Sequence, residues 1–140
     1  MPAQFVDDPP PLTFVDIPAV AEALTPVRRA LVDWATLAGL PPGDVDDLVL
    51  ASYEAMANVV DHAYQPGRHG CFRLEAACTT ELHIHVTVSD DGQWRALPAD
   101  PDSHRGRGLS LIRQLAHRVE VHHDQRGTAV QMCWRSRPPS

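Results

Sequence analysis

The chain has 140 residues, 44% hydrophobic and 21% charged, the make-up of one ordinary globular domain long enough to bury a core unaided. Its 18 acidic and 12 basic residues give a formal net charge of −6, and all 12 basic residues are Arg. The missing lysine excludes a lysine-bearing phosphate loop and Schiff-base chemistry on lysine, and the acidic balance argues against broad nucleic-acid binding. Three cysteines without a C-x-x-C pair read as reduced thiols rather than a disulfide framework. No apolar run approaches the ~18 residues of a membrane span, and the first residues lack the basic start and apolar stretch of a signal peptide. The expectation is a cytoplasmic protein with no membrane association.

Proline-rich ends, Pro9–Pro11 and Pro138–Pro139, predict tails over residues 1–11 and 136–140 around one domain, 12–135. Leu12 to Ile17 predicts a short strand. Thr25-Pro26 reads as an N-cap with Pro at the first helical position, and Val27, Ala30, Leu31, Trp34, Leu37 and Ala38 give a helical apolar stripe ended by Gly39. Asp44 can cap a second helix to about Tyr64, with Val45, Leu48, Val49, Ser52, Met56 and Val59 inward.

Phe72, Leu74 and Ala76 alternate with Arg73 and Glu75, and Leu82, Ile84, Val86 and Val88 alternate with His83, His85, Thr87 and Ser89, as in two half-buried strands. Residues 91 to 106 predict a long loop. Leu109 to His117 predicts a short helix, and Val119–Val121 with Thr128–Trp134 predicts a hairpin turning near Asp124–Gly127. Runs of strands with helices that can share one face indicate an α/β protein, a two-layer sandwich with a mostly antiparallel sheet.

Four segments can carry chemistry. Glu54, Asn58 and His62 are spaced i, i+4, i+8 and share a helix face with Asp61. A carboxylate can act as a general base and an amide oxygen can ligate a hard cation, although a solvated face has the same spacing. Asp90-Asp91-Gly92 ends a strand, where a carboxylate can accept donors from a ligand edge or simply make a turn. Arg105-Gly106-Arg107-Gly108-Leu109 enters a helix, where glycines let backbone N–H groups approach an anion, or mark a flexible loop end. Gly127-Thr128 lies in the last hairpin. His83 and His85 share a strand face without a third ligand at fixed spacing, so they read as an exposed face rather than a metal site. Trp34 and Trp134 read as packing residues, and Cys71 and Cys78 as small buried ones.

In this order, E-A-x-x-N-x-x-x-H-A-Y, D-x-G, G-x-G-L and G-T resemble the GHKL ATPase superfamily. The short form resembles its bacterial anti-sigma-factor serine/threonine kinases, over roughly residues 12 to 135. The resemblance implies the Bergerat ATP-binding fold, ATP and Mg²⁺ as cofactors, and these roles. Glu54 is the base for a serine or threonine hydroxyl. Asn58 is a ligand to Mg²⁺. Asp90 accepts the adenine amine, Gly92 lets the backbone pass the base, and Thr128 bonds beside them. Gly106 and Gly108, ahead of Leu109, cradle the phosphates. Arg105 and Arg107 either pair with phosphate or face solvent. The pattern departs at Trp94, where the family often has a second glycine, and in a short lid over about Gln93 to Arg105.

The resemblance also implies partners. These are a STAS-domain anti-sigma-factor antagonist as substrate, a sigma factor to sequester, and a second copy of the chain in a homodimer, within a stress-response transcription circuit. The competing expectation is an ATP-binding regulatory module that binds its partner without useful kinase activity.

Overall fold

The computed structural model describes residues 9–64, 70–79, 83–92 and 104–135, and of 104–108 only the backbone. The strands are β1 (Leu12–Pro18), β2 (Cys71–Thr79), β3 (His83–Asp90), β4 (Arg118–Asp124) and β5 (Gly127–Arg135), and the helices are α1 (Leu24–Leu37), α2 (Pro42–Asn58) and α3 (His104–Leu115). The strands form one sheet in the order β1-β2-β3-β5-β4, and every neighbouring pair is antiparallel.

Strand alternation sets the two faces of the sheet. Phe72, Leu74 and Ala76 on β2, Ile84, Val86 and Val88 on β3, and Val130, Met132 and Trp134 on β5 are buried beneath the helices. Leu31 and Trp34 of α1, Leu48 and Met56 of α2, and Ile112 of α3 complete that core. Arg73, Glu75, His83, His85, Gln131 and Cys133 fall on the opposite face, which no described helix covers. The result is the expected two-layer α/β sandwich.

Tertiary contacts move several element ends. A 3-10 turn, Ala21–Ala23, feeds α1, so the helix starts at Leu24 with Ala23 at its N-cap and Thr25 makes no capping bond. Leu24, 2% exposed, anchors that start in the core. Leu37 was expected on the apolar stripe but is 70% exposed, because the stripe runs through Leu24, Val27, Leu31, Trp34 and Ala35 and misses the last helical position. Gly39 ends the helix at φ +88, a left-handed position that glycine takes without strain. Pro41, in an extended conformation, holds the N-cap of α2, with Pro42 after it and Asp44 inside the first turn, where its charge suits the helix dipole.

The α-helical bonding of α2 stops at Asn58, and a single π-helical turn, Val59–Ala63, follows. α3 begins at His104, five residues before the expected Leu109, and takes Gly106 and Gly108 into its first turns. Helix extension through a glycine costs about 1 kcal/mol, which a helix anchored by buried Ile112 tolerates. Cys71 is exposed and Cys78 half-buried, because Cys71 sits on the open side of β2. Trp34 Nε1 donates to the Pro10 carbonyl (2.8 Å), and Trp134 Nε1 donates to Leu115 O (3.0 Å), which fixes the end of α3 on β5. Trp94, the lid from 93 to 103 and Leu82 lie outside the described residues, as do residues 1–8 and 136–140 of the expected tails. No helix among the described residues is long and apolar enough to cross a membrane.

Candidate nucleotide site

The site assembles where β3 and β5 pass beneath the end of α2. The register places Asp90 opposite Thr128. Both lie on the helix-covered face and both are buried, at 6% and 8% exposure. The Gly92 N–H donates to Asp90 Oδ1 at 2.9 Å. Thr128 Oγ1 is buried without a hydrogen-bond partner. An unpaired buried hydroxyl is costly in a fold, and such a group marks a place where a ligand or water completes the bonding.

Asp90 and Thr128 line one cavity together with Asn58 and Leu109. Val59, Ala63, Val88 and Val130 supply its apolar walls. Its volume is about 30 Å³, the space of a single water, so a ring as large as a purine needs the walls to part. Burial pushes the Asp90 carboxyl up to about 6 and neighbouring Asp91 pushes the same way, while the Gly92 N–H and the Arg73 guanidinium pull it down. Arg73 pairs with Asp91 at 3.5 Å on the surface.

The π-helical turn shapes the entrance. It leaves Asp61 exposed, while Glu54, Asn58 and His62 are half-buried. An i→i+5 turn shifts the register by one residue, which a run of i, i+4 spacings does not anticipate. The turn also brings the Ala63 carbonyl against Gly92, where an added Cβ would overlap the oxygen. Gly127 meets the same constraint at Asp90 O and holds φ +148. Tyr64 follows the turn. Its hydroxyl donates to Cys71 O (2.5 Å) and accepts from Asp91 N (3.3 Å), tying α2's end to β2 and to the Asp90–Gly92 segment.

The structure therefore gathers Asn58, Asp90, Leu109 and Thr128 around one cavity and sets Gly92 at its edge. Glu54 stands one helical turn before Asn58, half-buried, and does not line the cavity. Arg105, Gly106, Arg107 and Gly108 lie in the first turns of α3, and their side chains are outside the described residues. Sequence reasoning missed the apolar walls, the π turn and the bracing by Tyr64. Val88, two residues before Asp90 on the same strand face, was the available signal for the walls.

A profile of the histidine-kinase-like ATPase domain matches residues 17–134. The chain belongs to that family. The histidine-kinase-like domain of this chain is 31% identical to a serine-protein kinase RsbW of Halalkalibacterium halodurans over 122 residues, covering 77% of this chain and 74% of the relative. It is 28% identical to the RsbW of Bacillus cereus over 131 residues, covering 81% and 79%. The solved RsbU and RsbW domains of Rv1364c from Mycobacterium tuberculosis superpose with a TM-score of 0.73 at 28% identity, covering 93% of this chain and 34% of that longer chain. These relatives make the chain a distant homologue of the RsbW anti-sigma-factor serine kinases. Membership in an ATPase family implies ATP binding, and the buried Asp90–Thr128 pair offers a polar edge among apolar walls, the chemistry a purine requires.

Among the described residues no group of three His, Cys, Asp or Glu could hold a metal ion by itself. The donors present still fit Mg²⁺ in a nucleotide complex. Asn58 offers a hard carboxamide oxygen at the cavity, and Mg²⁺ commonly takes few protein ligands while keeping waters and substrate phosphates.

Proposed function

We propose that the chain is an ATP-dependent protein serine/threonine kinase that phosphorylates a STAS-domain anti-sigma-factor antagonist and sequesters a sigma factor, working as a homodimer. The observation that carries this reading is Glu54, half-buried one turn from Asn58, on the helix that forms a wall of the Asp90–Thr128 cavity. Among the described residues Glu54 has no ion pair. A module that only bound nucleotide has no need of a carboxylate there.

In this reading Asp90 accepts the exocyclic amine of adenine, which guanine replaces with a carbonyl, and Thr128 bonds beside it. Leu109 and Val88 cover the ring. The first turn of α3, with Gly106, presents backbone N–H groups and the positive end of the helix dipole to the phosphates, Gly108 leaves room beside them, and Arg105 and Arg107 add charge. Asn58 holds Mg²⁺, which neutralises phosphate charge when bound. Glu54 accepts the proton as the partner's hydroxyl oxygen bonds to the γ-phosphorus and the bond to the ADP oxygen breaks. The new phosphate adds about two negative charges to the antagonist and disfavours its docking, which frees the kinase to hold the sigma factor.

The test is incubation of labelled Mg-ATP with the protein and a panel of STAS-domain proteins. The kinase reading requires label on serine or threonine of a cognate partner, abolished by Glu54→Gln with ATP binding intact. Label that survives Glu54→Gln rejects the base. The position of Glu54 outside the cavity lining favours the second reading, a regulatory module. In that case ATP alters partner affinity and no phosphate moves.

A further inference from the structure

We propose that the uncovered face of the sheet carries a second, anion-binding site that takes a phosphate group over Cys133, at the end of the strands away from Asp90. A cavity of about 400 Å³ lies there, lined by residues of β3, β5 and β4 and by His117. That volume is in the range of small-ligand pockets, ~300–1,000 Å³.

The sheet register builds the groove. His83 stands opposite Arg135 and His85 opposite Cys133, while on the other side of β5 Arg118 stands opposite Cys133 and Glu120 opposite Gln131. Cys133, with a short side chain between His85 and Arg118, forms the floor. Strands lie ~4.8 Å apart, so donors from three strands converge over a span of roughly 10 Å. The Arg135 backbone N–H donates to His117 Nδ1 at 2.9 Å, which leaves the proton of a neutral ring on Nε2 as a further donor. Arg118 reaches Glu120 only at 3.9 Å.

Charge points the same way. Two guanidiniums face one carboxylate, so the groove is positive with every imidazole neutral, in a chain of net charge −6. Burial pushes the Cys133 thiol up, while Arg118 and Arg135 pull it down, so the floor carries no negative charge near neutrality. Three histidines line this groove with Arg118, Arg135, Glu120 and Cys133 as the other titratable groups. A phosphate offers three acceptor oxygens in a tetrahedral array to donors arriving from several sides, where a planar carboxylate offers two. His83 and Asp90 occupy opposite ends of β3 and opposite faces, so this groove is separate from the nucleotide cavity.

The experiment is calorimetric titration of the full chain with inorganic phosphate and with glycerol 3-phosphate, at constant ionic strength and neutral pH. Saturable binding is expected. The tighter of the two probes tells whether the groove takes the free ion or a phosphomonoester. Arg118→Gln with Arg135→Gln should weaken binding by roughly tenfold or more with ATP affinity and urea midpoint retained, and Asp90→Asn should leave phosphate binding unchanged. No saturable binding, binding unaffected by the double substitution, or equal affinity for succinate would each overturn the proposal.

Discussion

Asp90 and Thr128 face each other across β3 and β5, both buried, with the threonine hydroxyl unpartnered beside a carboxylate that burial has shifted to about 6. The pair is poor for stability and well suited to a polar ligand edge. Thr128→Val removes a buried unpaired hydroxyl at constant shape. The fold should gain up to about 1 kcal/mol in urea denaturation, while ATP binding weakens about tenfold. Unchanged ATP affinity would remove Thr128 from the nucleotide site.

Asp90 makes stability depend on pH in a defined direction. Its folded value, about 6, is above the reference value of 3.8. The native state thus holds a proton that the unfolded chain has already released. The stability contribution is complete below 3.8 and is lost as pH rises through about 6. Asp90→Asn removes the buried charge, so the variant should exceed the parent by on the order of 2 kcal/mol near neutrality, with the difference vanishing near pH 4. Urea midpoints across that range check it. The same variant should bind ATP more weakly, and a parent that binds GTP as well as ATP would dismiss Asp90 as the adenine acceptor.

Gly92→Ala tests the close approach at the π turn. The new methyl would overlap the Ala63 carbonyl oxygen, which is backbone and cannot swing aside. The expected loss is about 2–3 kcal/mol of stability, with weaker ATP binding because the Gly92 N–H no longer meets Asp90. A crystal structure of the variant with the turn unmoved would contradict this.

Metal dependence follows from the charge balance. With no lysine in the chain and Asn58 as the hard donor in the cavity, ATP affinity should fall at least about tenfold when EDTA removes the divalent cation. Asn58→Ala should reproduce the loss in the presence of excess Mg²⁺. Affinity indifferent to EDTA in the parent would defeat the assignment.

Much of the fold was legible in the chain. Alternation in Ile84–Val88 and Val130–Trp134, with the stripe from Val27 to Trp34, specified a half-covered sheet and helices on one side, because burial of one face imposes those periods directly on the residues. Element ends were less legible. Leu37 matches the helical period yet is exposed, and Thr25 has cap chemistry yet sits inside a helix, since the buried Leu24 and the preceding 3-10 turn set the start.

For the candidate site, the sequence by itself determined the chemistry available. It supplied a carboxylate and an amide one turn apart, an aspartate where a strand stops, and glycines near a helix start. It also excluded any lysine. Tertiary structure alone decided which of these meet. Asp90 faces Thr128 only because β3 pairs with β5 in one register, and Gly92 must be glycine only because a π turn delivers the Ala63 carbonyl there. A local sequence pattern records which face a residue prefers. The contacts between segments distant in the chain depend on strand register and on one extra residue in a helical turn, and neither changes the hydrophobic period enough to be read.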